Sequence, residues 1–397
     1  MNILFDLITT QLSFGGGSEY IRKVFYSLKE YVSRQDLDIQ VIGVIDSSIS
    51  TFKYADLTPE TLHSQGIKVV DINKESIREI IQNHGINKIF IGVLQFWSKR
   101  YSLSNIDIEV ITVIHDMHDE EMENMRLYPY LALFRSPYAF FRQLIATTQK
   151  WIKRNIRHKK EDLSIMLDSL KSNKKWKCIT VSEYTKHSLI YYYGIPENKI
   201  TVLYSPERIM LDTEYFENEA LNQIINKKIR YYLIVSADRP EKNALRTVEV
   251  FLRYRQYLSN LSSSSLPYIL TLGAKKKMGE GHICLPQLSE SDLTKAYKNC
   301  YALIYPSFFE GFGYPPVEAM KFDKPILASN VTSIPEILDN APIYFSPFFE
   351  SDIFKSLCIL NDGNYKEYTQ KSKERYEIIS ERQNRDLNKL IKLIIKK

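Results

Sequence analysis

Short apolar runs alternate with amphipathic stretches along almost the whole chain, and that alternation restricts the fold more than any single motif does. In the first half the runs are Ile3 to Ile8, Ile39 to Ile45, Ile67 to Val70, Lys88 to Gly92, Glu109 to Ile114 and Cys178 to Val181, with a helix expected from about Ser18 to Ser33. A second series begins near Lys228. It reads as strand Tyr231 to Ser236, helix Leu245 to Leu258, strand Tyr268 to Leu272, helix Asp292 to Asn299, strand Ala302 to Tyr305, helix Val317 to Phe322 and strand Pro325 to Ala328. Strands alternating with helices belong in parallel sheets, because a parallel connection needs a crossover long enough to hold a helix. A chain of 397 residues is also too long for one ordinary core. The expected fold class is α/β, two doubly wound Rossmann-like domains facing across a cleft and joined near Ser205-Pro206-Glu207. Residues 1–206 form the first domain and 207–375 the second, with a helix over 376–397 packing back toward the first.

Composition narrows the function classes. Hydrophobic content of 44% with 25% charged residues describes a soluble globular protein. No apolar run reaches the 18 or so residues that a spanning helix needs. The opening Met1 to Asp6 reads as a first strand rather than a signal peptide, so a cytoplasmic location is expected. Cys178, Cys284, Cys300 and Cys358 are far apart, and the histidines show no His-Glu-x-x-His spacing, which argues for free thiols and against a zinc site.

The segment Ser307-Phe308-Phe309-Glu310-Gly311-Phe312-Gly313-Tyr314-Pro315-Pro316-Val317-Glu318 carries the strongest functional signal. It follows the apolar strand Ala302 to Tyr305 and runs into a helix opened by prolines, so its glycines aim backbone N–H groups at whatever lies above the strand. Glu310 sits on the loop and Glu318 roughly one turn into the helix, where both can face one crevice and hold two sets of hydroxyls. A capped surface helix with an ordinary acidic first turn is the plainer alternative.

Other loops at strand ends add to this. Ala237-Asp238-Arg239-Pro240-Glu241-Lys242-Asn243 places Arg239 and Lys242 where they could grip a diphosphate leaving group, or form a solvated turn. Gly15, Gly16 and Gly17 join the first strand to the first helix and allow close approach of backbone to a ligand. The spacing is neither that of a dinucleotide-binding loop nor that of a P-loop, which disfavours NAD and ATP hydrolysis. His115 and Asp116 directly follow the apolar run Ile111 to Ile114 and are candidate substrate contacts.

Together these residues resemble the retaining glycosyltransferases of the GT-B fold, specifically family four, also called glycosyltransferases group 1. The most specific part runs from Leu285 to Leu338. There Leu285-Pro286-Gln287 resembles the loop before the donor-side helix, followed by Pro306 to Gly313 and Ser329-Asn330-Val331-Thr332-Ser333-Ile334-Pro335-Glu336. The pattern departs at Ser236-Ala237, where the family has a glycine, and over Gly273 to Cys284, which carries Lys275-Lys276-Lys277, read as a solvated hairpin tip.

The resemblance implies a hexosyltransferase that uses a nucleotide-diphosphate sugar. Glu318 would bind the ribose hydroxyls and Glu310 the donor sugar, with Gly311, Phe312 and Gly313 close to the sugar and diphosphate. Arg239 and Lys242 would neutralise the departing phosphates. Gly16 and Gly17 would approach the diphosphate or acceptor, and His115 would touch the donor sugar near its reacting face. The base would lie near Leu285 to Gln287. The donor expected is GDP-mannose or a UDP-hexose, and the acceptor a glycan or lipid-linked glycan in cell-surface polysaccharide synthesis. No cofactor and no divalent metal are expected, since Asp36-Leu37-Asp38 sits in a turn and reads as solvated surface. A glycosyl phosphorylase or synthase of the same fold and a non-catalytic nucleotide- or glycan-binding protein are the alternatives.

The net charge of +6 is concentrated between Arg142 and Lys177, where eleven Lys or Arg face three acids, a balance of +8 that leaves −2 elsewhere. Phe140, Phe141, Leu144, Ile145, Trp151, Ile152 and Ile156 recur there at helical spacing. Such a helix, expected within a helical stretch over about 121–177, suits an anionic membrane surface on the inner face, or else a core-facing helix with a charged outer side. Nucleic acid is not an expected partner, because the basic residues are not interleaved with stacking aromatics.

Overall fold

Every strand pair in the computed structural model is parallel, in two separate sheets. The structure describes residues 1–396 except 13–14, 50–51, 53, 99, 102, 104–105, 123–155, 212, 214, 262–264 and 362. The chain divides into two compact units. The first comprises Met1–Met117, Thr148–Ile209 and Arg382–Lys397, and the second His118–Thr147 and Met210–Glu381.

In the first unit, β1 (Asn2–Asp6), β2 (Gln40–Ile45), β3 (Val69–Asp71), β4 (Ile86–Ile91), β5 (Glu109–Ile114), β6 (Trp176–Thr180) and β7 (Ile200–Val202) are ordered β3-β2-β1-β4-β5-β6-β7. The core is aliphatic, with Leu4, Ile42, Ile89, Ile91 and Val110 fully enclosed, as parallel strands covered on both faces require. The first strand stops at Asp6 rather than continuing to Ile8. The Asp6 carboxylate accepts from the Thr9 amide at 3.2 Å and the Thr9 hydroxyl at 2.9 Å, turning the chain into a short helix Ile8–Leu12.

In the second unit, β8 (Tyr231–Ile234), β9 (Tyr268–Leu272), β10 (His282–Leu285), β11 (Ala302–Tyr305), β12 (Ile326–Ser329) and β13 (Ile343–Phe345) are ordered β10-β9-β8-β11-β12-β13. In both sheets the order reverses beside the unit's first strand, between β1 and β4 and between β8 and β11. Loops leaving the carboxyl ends of those pairs diverge and leave a crevice, the usual ligand position in a doubly wound sheet. Because β9 and β10 run parallel, Lys275 to Lys277 are not a hairpin tip. They lie exposed on a crossover loop.

The last helix, Tyr365–Ile395, starts earlier than residue 376 and is 31 residues long. Its end belongs to the first unit. The Arg382 guanidinium lies 3.4 Å from the centre of the Tyr204 ring, the Gln383 amide donates to the Ser205 carbonyl at 2.7 Å, and the Asp386 carboxylate accepts from the Tyr204 amide at 3.1 Å. The buried Lys88 ammonium caps the helix by donating to the Lys396 carbonyl at 2.6 Å.

Of the expected basic amphipathic segment, Phe140 to Ile152 lie outside the described residues, and the helix Ile156–Ser172 follows. Among the described residues no helix is long and apolar enough to cross a membrane.

Candidate active site

Each unit places its sequence-predicted residues at the carboxyl ends of its strands. In the second unit the loop after β8 carries Arg239 and Lys242, and the loop after the neighbouring β11 carries Glu310 to Gly313. Lys242 and Glu310, 68 residues apart, form a hydrogen-bonded ion pair. Their side chains are only 7% and 13% exposed, so neither lies on a solvated turn. The Phe308 amide donates to the Glu241 carbonyl at 2.9 Å and ties the two loops together through their backbones as well.

Glu310 is held by more than its charge partner. Its amide donates to the Thr332 hydroxyl at 3.1 Å and its carbonyl accepts from the Ser333 hydroxyl at 2.9 Å, so the loop after β12 fixes its backbone on both sides. Burial works to raise the Glu310 carboxyl, but the Lys242 ammonium, aided by the nearby Ser307 and Tyr305 hydroxyls, outweighs it and holds the group below its ordinary value of 4.5. The acid is a carboxylate at neutral pH. The Lys242 ammonium also lies 5.3 Å from the centre of the buried Tyr305 ring, whose phenol burial pushes far up and keeps neutral.

Gly313 is required by this geometry. Its φ of +90° is in the left-handed region, and a Cβ there would come within 3.3 Å of the Tyr305 hydroxyl. The chain then enters the helix Tyr314–Met320, with Pro315 and Pro316 in its first turn. Glu318 lies in that helix at 6% exposure. Both acids of the motif are therefore enclosed, which removes the surface-helix alternative.

Arg239 is half exposed, and its guanidinium is bound to the Glu241 carboxylate at 2.6 Å. Leu285 ends β10 and is buried, its carbonyl accepting from the Gly273 amide at 2.9 Å, while Gln287 is exposed on the loop that follows.

The crossover between β9 and β10 is pinned by His282, which is fully buried. Its Nδ1 accepts from the Met278 amide at 3.1 Å, which leaves Nε2–H to donate to the Thr271 hydroxyl at 2.8 Å. The ring is therefore neutral, and burial pushes its pKa down to about 4. A folded pKa below the unfolded 6.5 means the unfolded chain takes up the proton first, so this group's stabilisation is full above 6.5 and is lost as pH falls toward 4. Urea midpoints are expected to drop across that window in the native protein and to drop less in His282→Asn; equal slopes would contradict the assignment.

In the first unit Gly15 precedes the helix Gly16–Arg34, so Gly16 and Gly17 are its first turn rather than a free loop. A Cβ on Gly17 would meet Val93 Cγ2 at 3.0 Å, a packing reason for that glycine. At Gly15 a Cβ would meet nothing within 4 Å, so packing makes no such demand there.

His115 follows β5 and bonds through Nε2 to the Gly92 carbonyl at 2.9 Å, with its ring edge-on to Tyr20. Burial holds its pKa below 6.5, so the neutral ring donates Nε2–H to Gly92 and keeps Nδ1 as an acceptor. Asp6, fully buried, accepts from the Gly92 amide at 3.2 Å and so supports the loop that orients His115. Asp116 accepts from the Gln95 amide through its backbone carbonyl at 2.7 Å. Asp36 and Asp38 are exposed in the turn after the helix Gly16–Arg34. Among the described residues no group of three or more His, Cys, Asp or Glu is gathered to hold a metal ion.

Asp6, Tyr305, Thr332 and Ser333 were not singled out as supporting residues from sequence. The signal for the last two was their place at the end of β12, which the Ser329 to Glu336 motif already marked.

Residues 216–345 match the family described as glycosyl transferases group 1. The match lies within the second unit. It contains Arg239, Lys242, Glu310 to Gly313 and Glu318, whereas Gly15 to Gly17, His115 and Asp116 lie outside it.

The O-antigen chain mannosyltransferase RfbU of Salmonella typhimurium is 28% identical over 181 residues, 43% of this chain and 46% of the relative. O-antigen chain mannosyltransferase B of Escherichia coli is 27% identical over 210 residues, 49% and 52% of the two chains. The chain thus spans about half the length of the curated relatives it matches. Anabaena Alr3699/HepE, solved with UDP and glucose, superposes with a TM-score of 0.62 over 99% of each chain at 12% identity. At that identity the likeness concerns the fold, which is GT-B: two parallel-sheet α/β domains.

Proposed function

We propose that this chain is a retaining, metal-independent hexosyltransferase that moves a hexose from a nucleotide-diphosphate sugar to a glycan or lipid-linked acceptor in cell-surface polysaccharide synthesis. The observation that carries the reading is the enclosed Lys242–Glu310 pair at the point where strand order reverses, inside the stretch that matches the group 1 family. The mannosyltransferase names of the relatives, and the UDP and glucose of the Anabaena structure, favour GDP-mannose or a UDP-hexose as donor.

In this reading the bond from the anomeric carbon to the diphosphate oxygen breaks with its electron pair on the phosphate. The acceptor hydroxyl forms the new bond on the same face and passes its proton to the departing phosphate oxygen. Negative charge grows on the diphosphate, and fixed cations already aimed there lower the barrier without reorganising. Lys242 and Arg239 supply that charge, the backbone of Gly311 to Gly313 approaches the sugar, Glu310 takes its hydroxyls and Glu318 those of the ribose. In the first unit, His115 keeps Nδ1 as an acceptor suited to a sugar hydroxyl.

Both cations are paired before any ligand arrives, Lys242 with Glu310 and Arg239 with Glu241. A bare phosphate would meet four charges that sum to zero, so binding depends on the sugar hydroxyls engaging Glu310 and releasing part of Lys242 to the diphosphate.

Calorimetry against a panel of nucleoside diphosphates, followed by turnover with the matching hexose donors, tests the assignment. Binding of GDP or UDP with transfer in excess EDTA is the expected result. No nucleotide binding would overturn the reading, and activity lost in EDTA and restored by manganese would overturn its metal-independent part.

A further inference from the structure

The second unit has a cavity of about 320 Å³ at the opposite end of its sheet from Lys242 and Glu310. Lys228, Ile229 and Arg230 line it just before β8, Asn299 and Tyr301 just before β11, and Tyr365 at the start of the last helix. The four residues of β8 separate this end from the Arg239 loop, a span of about 13 Å.

The Arg230 guanidinium lies 3.6 Å from the centre of the Tyr301 ring, and Tyr301 stacks on Tyr365 at 4.5 Å and 25°. The Tyr365 hydroxyl donates to the Tyr301 carbonyl at 3.0 Å and locks the stack. No carboxylate lines the cavity, and Arg230 Nε is buried with no hydrogen-bond partner among the described residues.

A cation held in a fold without an acid is costly, and stacking on an aromatic face offsets only part of that cost. What the contact does provide is position. A guanidinium fixed 3.6 Å from a ring centre keeps a planar set of donors in place, the kind of group that receives a carboxylate or phosphate through two hydrogen bonds. Lys228 adds a second positive charge, and the half-buried Ile225 and Ile229 add an apolar wall. The volume is that of a small-ligand site and exceeds what a single ion needs.

We propose that this cavity binds an anionic hexose through its carboxylate or phosphate, at a site separate from Lys242 and Glu310. The proposal does not rest on the reading of those residues. The same chemistry has two sources, an acidic unit within a glycan or a free sugar acid or sugar phosphate.

Calorimetry with glucuronate, glucose 6-phosphate and a glucuronate-containing oligosaccharide, with glucose as the uncharged control, tests the site. The expected result is saturable binding of the anionic probes and not of glucose, weakened at least tenfold in Arg230→Gln and severalfold in Lys228→Gln, and unchanged in Arg239→Ala. Lys228 is exposed, so its variant reports even if Arg230→Gln folds poorly. An oligosaccharide that binds tenfold tighter than glucuronate assigns the site to a glycan; equal affinity assigns it to the free sugar acid. No binding by any anionic probe, equal binding of glucose, affinities unmoved in both variants, or loss in Arg239→Ala would each overturn the proposal.

Discussion

Lys242→Ala is expected to lower transfer about 10³-fold and to destabilise the second unit by about 3 kcal/mol, two effects of one contact. In the proposed reaction the kinetic loss follows from removing a fixed cation at the departing diphosphate. The loss of stability follows from leaving the Glu310 carboxylate enclosed without its partner, which costs more than the pair contributes when intact.

The pH dependence carries the signature. Burial pushes the Glu310 carboxyl up, and in the native protein Lys242, aided by the Ser307 and Tyr305 hydroxyls, more than cancels it, so the folded pKa lies below 4.5. The unfolded chain then protonates first, and the stabilisation is full above 4.5 and lost as pH falls through the folded value. In Lys242→Ala burial prevails, the folded pKa rises above 4.5, and stability falls as pH climbs through that raised value. Urea midpoints measured from about pH 3 to 7 should therefore rise with pH below 4.5 in the native protein and fall with pH above 4.5 in Lys242→Ala, slopes of opposite sign for this group. A double variant, Lys242→Met with Glu310→Gln, should recover most of the stability and none of the activity. Parallel slopes, or activity within tenfold of native in the single variant, would contradict the role given to Lys242.

The second large effect separates the two acids. Glu318→Gln is expected to weaken nucleoside diphosphate binding by about 10- to 100-fold, the size of a lost hydrogen bond to a charged group, with kcat little changed at saturating donor. Glu310→Gln should leave nucleotide affinity within a few-fold and lower kcat about 100-fold, because in the proposed reaction its hydroxyl contacts and its placement of Lys242 serve the transferred sugar. Steady-state kinetics with parallel calorimetry distinguish the two, and the reverse pattern would exchange the roles of the residues.

The sheets were legible in the sequence where strands are central and buried. Glu109 to Ile114, Tyr268 to Leu272 and Ala302 to Tyr305 agree with the structure at both ends, since residues covered on both faces leave an unbroken apolar run. Edge strands β7, β10 and β13 were not read, because three or four residues with one neighbour carry little pattern. Ile8 looked like strand because its own side chain is apolar, and it took a local carboxylate, Asp6, to bend the chain there. Glycine spacing marked Gly16 and Gly17 as a loop, yet helix packing against Val93 explains the latter.

At the candidate site the residue types and their strand-end positions were readable, but the pairing of Lys242 with Glu310 was not. A contact across 68 residues depends on β8 and β11 being neighbours, and only the completed strand order makes them so. The same holds for Thr332 and Ser333, which reach Glu310 because β12 lies on the far side of β11.

The last helix has a consequence for the order in which the protein matures on the ribosome. The first unit includes Arg382–Lys397, while the second lies entirely before residue 382. All of the second unit's residues have thus been synthesised while Tyr204, Ser205 and Lys88 still await their partners at Arg382, Gln383, Asp386 and Lys396. The half of the chain that is translated first is the half that is completed last, and a nascent chain stalled before Arg382 would present that unfinished surface to chaperones.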